Sequence, residues 1–381
     1  MRGNIEKRSK TSWTVVIEKG KDPVTGKRDR IYKAVKGPKR EAEKVMNEIL
    51  HRLRTGTYVE INNLTVAEYF DHWLLTYCKP NLAPKTIHSY TSEINNHIKP
   101  KLGSIPLEKL TPLHLQSYYT QLLESGRLDG NGGLSPRSVL YQHRIIREAL
   151  KHAFRWQLVS RNVADAVEPP RFKKKEMYFI TREEVHDFLD EIKSHRDYAI
   201  IYTAIYTGMR QGEILGLTWE NVNLVTKTVF VKQQLQYVAG EGYIFKEPKT
   251  PKSKRHIPLT TGMLTLLKEI KKEQAQNKLL LGSEYDENNL VFCQENGKPL
   301  DATNLTKRFK TLARKNGHPE MRFHDLRHTC ATLLLAAGVD PKRVQEILGH
   351  ESFNTTMDTY GHVLPSMKRD AMDKLSEFMG D

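Results

Sequence analysis

At 381 residues the chain is long enough for two or three domains with real cores. A formal net charge of +15 and a pI near 9.5 ask for an acidic partner, nucleic acid ahead of anionic membrane. No apolar run approaches the ~20 residues of a membrane span and no signal peptide precedes Trp13. Cys78, Cys293 and Cys330 are too scattered for a disulfide framework or a zinc cluster, so a cytoplasmic setting is expected.

Residues 1 to 57 hold 16 Lys and Arg against 7 Asp and Glu. Trp13-Thr-Val-Val-Ile17 alternates weakly and predicts a strand, Asp22 to Gly26 a turn, and Arg30 to Val35 a second strand. A helix is predicted over Lys39 to Arg54, with Ala42, Val45, Met46, Ile49, Leu50 and Leu53 facing inward. So much positive charge on a small sheet propped by one helix suits contact with DNA.

From Leu64 to Val167 the pattern is almost wholly helical. Thr65-x-x-Glu68 is a capping box, and Pro84, Pro112 and Pro136 each stand at a first helical position. Apolar stripes follow: Val66/Tyr69/Phe70/Trp73/Leu74, Ile87/Tyr90/Ile94/Ile98, Leu115/Tyr118/Leu122 and Val139/Ile146/Ala149/Leu150/Ala153. Four short helices with basic outer faces predict a compact bundle, a second DNA-gripping domain. Glu168 to Lys175, with paired prolines and a lysine run, reads as a basic linker.

Thr181-x-x-Glu184 opens the third domain with another capping box. A helix through Ile200, Ile201, Ala204 and Ile205 ends at Gly208, which places Arg210 at a helix break. Strands are predicted at Thr228 to Val231, Tyr243 to Phe245 and Arg255 to Pro258. Between the last two lies a lysine-rich turn holding Lys249, Lys252 and Lys254. Helices follow near Leu264 to Gln276 and Thr303 to Asn316.

Chemistry concentrates in Arg322 to Tyr360. Leu326, Thr329, Leu333, Leu334 and Ala337 recur at helical spacing until Gly338. On that helix His324 and Arg327 share a face and can reach one anion. Pro341 starts a second helix carrying Val344, Ile347 and Leu348, which Gly349 ends just before His350. His324 and His328 also have the i, i+4 spacing of a zinc helix. Asp325 stands where that motif needs Glu, however, and Arg327 would set a fixed positive charge beside the cation. Arginine beside histidine suits a phosphate.

Taken together, Thr207-Gly-Met-Arg210-Gln-Gly-Glu213, Pro248-Lys249-Thr250, His324-Asp-Leu-Arg327-His-Thr, Leu348-Gly-His350 and Tyr360 resemble the motifs of the tyrosine recombinase (phage integrase) family. The match spans the third domain. The basic sheet and the bundle before it resemble the arm-binding and core-binding domains of phage and conjugative-transposon integrases. The fold implied is multidomain α+β: a small basic three-stranded sheet plus helix, a helical-bundle core-binding domain, and a mainly α catalytic domain with a small antiparallel sheet. Expected boundaries are 1–60 for the arm-type domain, 61–168 for the core-binding domain, 169–178 for the linker and 179–381 for the catalytic domain.

The resemblance implies site-specific recombination through a 3′-phosphotyrosyl intermediate and a Holliday junction, with no metal, cofactor or ATP. Arg210 and Arg327 would hold the non-bridging oxygens and never lose their charge. Tyr360 would be the nucleophile, His324 its base, and His350 a hydrogen-bonding support. Lys249 is the expected general acid, with Lys252 its rival, and Glu213 braces Arg210. Expected partners are double-stranded DNA at core-type and arm-type attachment sites and three further copies in a tetramer, with a place for accessory DNA-bending or directionality factors; no membrane is involved. Met367, Ala371, Met372, Leu375 and Phe378 predict a last amphipathic helix, packed on its own domain or, the favoured reading, on a neighbouring protomer. Two alternatives share features of this reading. A type IB topoisomerase uses the same covalent chemistry, and a non-catalytic DNA-binding regulator would share the charge.

Overall fold

This computed structural model describes residues 2–9, 11–21, 26, 28–54, 64–172, 177–238, 240–247, 253–349, 376, 379 and 380. The chain divides into two compact units, Met1–Lys173 and Lys174–Asp381. The linker residues 173–176 and the expected C-terminal helix positions Met367 to Phe378, except Ser376, lie outside the described residues.

Unit one begins with strands β1 (Arg2–Ser9), β2 (Ser12–Lys21) and β3 (Arg28–Lys36), antiparallel in the order β1-β2-β3. Helix α1 (Lys39–Arg54) lies on one face. Val15 and Ile17 on β2, Ile31 on β3, and Ala42 and Ile49 on α1 make the small core. Strand β1 escapes a pattern-based reading because Ile5 is its lone large apolar residue. Its seat against α1 depends on Gly3: a Cβ there would come within 2.8 Å of the Met46 sulfur.

The second core of unit one is helical. Helix α2 (Val66–Trp73) starts at the expected capping box, where Glu68 N–H donates to Thr65 Oγ1 and Thr65 N–H to Glu68. It runs on through a π turn, Leu74–Cys78, into α3 (Lys79–Asn81). Then α4 (Pro84–Glu93) passes through a second π turn, Ile94–Ile98, into α5 (Lys99–Leu102). Both π turns precede a Lys-Pro pair, Lys79-Pro80 and Lys99-Pro100. A proline ring presses on the carbonyl four residues back, and one widened turn absorbs that clash without breaking the helix. Helices α6 (Pro112–Ser125) and α7 (Pro136–Arg155) complete the bundle, each with its proline at the first turn behind a hydroxyl cap. Trp73, Tyr69, Tyr118 and Tyr119 are fully buried, and Trp73 donates its indole N–H to His152 Nδ1 at 2.9 Å.

Unit two is built around α9 (Tyr198–Thr207), which follows α8 (Arg182–Glu191). α9 is apolar nearly all round because its neighbours cover it. The short helix α10 (Gln211–Leu215) comes next, then β4 (Val222–Asn223), β5 (Thr228–Val231), β6 (Gln234–Val238), β7 (Gly242–Lys246) and β8 (Arg255–Pro258). Two sheets form: β4-β5-β8, and a separate β6-β7 hairpin. The expected strand at Tyr243 to Phe245 therefore belongs to a hairpin inserted between β5 and β8, which pair directly, Val231 opposite Arg255. Helices α11 (Thr261–Leu281), α12 (Ala302–Lys315), α13 (Asp325–Ala336) and α14 (Pro341–Leu348) finish the described fold. α13 packs on α9, and Val344 and Leu348 fasten α14 to Ala331 and Leu335 of α13. No described helix is long and apolar enough to cross a membrane.

Candidate active site

Three helix ends meet in unit two. The first is the C-terminus of α9, where Gly208 takes a left-handed φ of 62° and turns the chain so that Arg210 caps α10. A Cβ at Gly208 would stand 2.5 Å from Leu348 Cδ2, so glycine is required by conformation and by space. The second is the N-terminus of α13, where His324 is the cap residue and Arg327 lies in the first turn. The third is the C-terminus of α14, closed by Gly349 at φ 66°.

Arginines hold these ends together. Arg327 is buried and donates from Nη1 to the Gly208 carbonyl at 2.7 Å and from Nη2 to the Leu348 carbonyl at 2.6 Å. Arg210 donates from Nη2 to the next carbonyl, Gly349, at 3.4 Å. Arg255 donates from Nε to the preceding one, Ile347, at 2.6 Å. Three consecutive carbonyls at the negative end of α14 are thus each taken by a different guanidinium.

Glu213 balances this charge from a buried position. Its carboxylate accepts from Arg210 Nη1 at 2.7 Å, from the Arg210 backbone N–H at 2.9 Å and from Arg255 Nη2 at 2.8 Å. Burial alone would raise this carboxyl; Arg255 first and Arg210 second override it and hold the pKa down at about 2. Glu213 bracing Arg210 is as the sequence suggests. Arg255 was expected only as a strand residue, yet period-two alternation places it with Ile257 on the inward face of β8. That alternation is the signal by which the sequence could have revealed it: an inward-facing arginine needs a buried acid.

His324 lies at the surface, and its imidazole is held below its ordinary pKa. Desolvation by surrounding protein is the largest cause, followed by repulsion from Arg327 and Arg210. The neutral ring that results is the form a base requires. His328 meets it edge to face, ring centroids 5.1 Å apart, and burial pushes His328 down to about 4. Among the described residues no group of three or more His, Cys, Asp or Glu side chains is placed to hold a metal ion. Lys249, Lys252, His350 and Tyr360 lie outside the described residues. Tyr69, Tyr118 and Tyr119 are buried packing residues whose phenols burial pushes up, away from what a nucleophile needs.

Arginines converging on the end of one helix, beside a neutral histidine, suit a site for an anionic ester. The profile of the phage integrase family matches residues 178–367, and that of the phage integrase N-terminal SAM-like domain matches residues 65–123. The chain belongs to the phage integrase family and is a tyrosine-type site-specific recombinase.

Among its relatives is a protein named tyrosine recombinase XerC-like from Caldanaerobacter subterraneus subsp. tengcongensis. The two are 29% identical over 394 residues, covering 98% of each chain. The ICEBs1 integrase of Bacillus subtilis is 25% identical, over 99% of this chain and 100% of its own. Among solved structures, the Tn1549 transposon integrase in complex with a circular intermediate DNA superposes with a TM-score of 0.70 at 22% identity. That match covers 82% of this chain and 99% of the other.

Proposed function

We propose that this recombinase is the integrase of a mobile element, cutting and rejoining attachment-site DNA in one pocket of unit two. The observation that carries the reading is the convergence of Arg210 and Arg327. Far apart in sequence, they donate to the adjacent carbonyls of Gly349 and Leu348 and both repel a proton from His324. A phosphodiester gains negative charge on its non-bridging oxygens as it is attacked, and two permanent guanidiniums stabilise that charge. Tyr360 Oη attacks phosphorus and passes its proton to His324. The P–O5′ bond breaks, Lys249 protonates the leaving 5′-oxygen, and a 3′-phosphotyrosyl ester remains. His350 hydrogen-bonds the phosphate. One phosphoester replaces another, so religation to a second duplex consumes neither ATP nor metal.

Two duplexes exchanging both strands present four scissile phosphates, one for each nucleophile of a homotetramer, cut in pairs through a Holliday junction. The helical bundle of unit one takes the core-type site, and the sheet of residues 2–36 with α1 takes arm-type DNA. The uneven charge supports the second assignment, since residues 1 to 57 alone account for +9 of the net charge. The work of such an enzyme is on DNA in the cytoplasm.

A nicked suicide substrate incubated with full-length protein in EDTA tests the reading. A covalent protein–DNA adduct is expected on denaturing gels, with none from Tyr360→Phe. An adduct retained by that variant, or one lost on chelation, overturns it. Relaxation of supercoiled DNA without any attachment site would point to a topoisomerase instead.

A further inference from the structure

We infer that Arg255 is a positioning residue for DNA cleavage, acting on Arg210 through the Glu213 carboxylate that the two arginines share. This rests on the recombinase reading above and deepens it. Arg255 is 7% exposed and every part of its fork is engaged. Nε serves Ile347, Nη2 serves Glu213 at 2.8 Å, and Nη1 serves Glu213 at 3.3 Å and the Ser253 carbonyl at 3.2 Å. The guanidiniums that chiefly depress the His324 imidazole are those of Arg327 and Arg210, whereas Arg255 bears on Glu213. Arg210, by contrast, keeps a side chain 36% exposed while resting on the same carboxylate.

The geometry couples three sequence-distant pieces. Glu213 Oε1 is shared between Arg210 and Arg255, so the position of one guanidinium sets the position of the other. A Cβ on Gly349 would approach the Arg255 guanidinium to 3.1 Å, which shows how closely the end of α14 is laid on it. Lysine at 255 keeps the charge but lacks the planar fork, and cannot serve Glu213 and Ile347 in the same geometry. Arg210 would then share Glu213 with a mobile ammonium, and the α14 terminus would lose one of its three clasps. Displacements of about 1 Å at a reacting centre cost on the order of a hundredfold in rate.

The test measures single-turnover adduct formation on the suicide substrate, together with half-site DNA affinity. Proteins compared are wild type, Arg255→Lys, Arg210→Lys and the double variant. Arg255→Lys should slow adduct formation about ten- to a hundredfold while half-site affinity stays within about threefold. Because Arg255 acts through Arg210, the double variant should lie within about threefold of Arg210→Lys alone; losses that multiply would overturn the proposal. A bridging 5′-phosphorothiolate, whose leaving group needs no acid, should not restore Arg255→Lys. Restoration would assign its effect to the lysine turn instead and overturn the coupling to Arg210. Should Arg255→Lys lack a cooperative melt, Glu213→Gln keeps the side chain's size and should show the same slow cleavage with retained binding; a wild-type rate there also overturns the proposal. Wild type failing to form an adduct would sink the recombinase reading itself, an outcome separate from all of these.

Discussion

Arg327 Nη1 donates to the Gly208 carbonyl at 2.7 Å, which bolts the first turn of α13 to the bend that presents Arg210. The bend that carries Arg210 and the helix that carries Arg327 are therefore joined directly, while Glu213 holds the Arg210 guanidinium. That contact also explains why Gly208 must be left-handed. The conformation turns its carbonyl toward α13 and leaves room for Leu348.

Gly208→Ala should destabilise the protein by about 1–3 kcal/mol from backbone strain alone, with a further loss from the contact with Leu348. Thermal melting of the purified full chain checks this. Adduct formation should fall more steeply than DNA affinity, since Arg210 and Arg327 are displaced together. An unchanged melting point would contradict the account of this bend.

Arg210→Lys should lower the rate of covalent adduct formation by about two to three powers of ten, the usual cost of removing one donor from a developing oxyanion. Equilibrium binding to a core half-site should change only a fewfold. Arg327→Lys should show the same kinetic loss and a lower melting point as well, because the carbonyls of Gly208 and Leu348 lose a buried partner. Rapid-quench kinetics and differential scanning fluorimetry separate the two effects.

The histidines set the acid limit. His324 is depressed below its ordinary value by desolvation, Arg327 and Arg210, so adduct formation should be level from pH 8 down to about 6.5 and decline only below that. His328 bears on stability. Its folded pKa is about 4, against ~6.5 when unfolded, and between those values the unfolded chain binds the extra proton. Stability contributed by the neutral ring is thus complete above pH 6.5 and drains away as pH falls toward 4. Urea midpoints measured across that window should show the decline, and His328→Gln should flatten it.

In the bundle of unit one, Trp73→Ala should cost about 3–5 kcal/mol through cavity formation. Trp73→Phe should cost less, yet leave His152 Nδ1 without its indole donor in a buried setting, at about 1–3 kcal/mol. Calorimetry of the full chain should show the transition of residues 64–172 moving down in both variants.

Local grammar made much of this protein readable from its residues alone. Thr65 and Thr181 with their partner glutamates, the prolines at 84, 112, 136 and 341, and the glycines at 208 and 349 mark helix ends by near-neighbour chemistry, and each does so in the fold. The motifs around Arg210, His324 and Arg327 carried a family resemblance, and the structure brings Arg210 and Arg327 to the end of one helix. Long-range pairing was not. Sequence spacing places neither the β6-β7 hairpin outside the main sheet nor the widened turns before Pro80 and Pro100, because strand partners and helix register are settled by packing. Nor does it reveal that Arg255 is buried against Glu213, 42 positions away. A charge in a strand is satisfied by whatever the rest of the chain brings to it, and only tertiary structure decides that three arginines share the end of one helix.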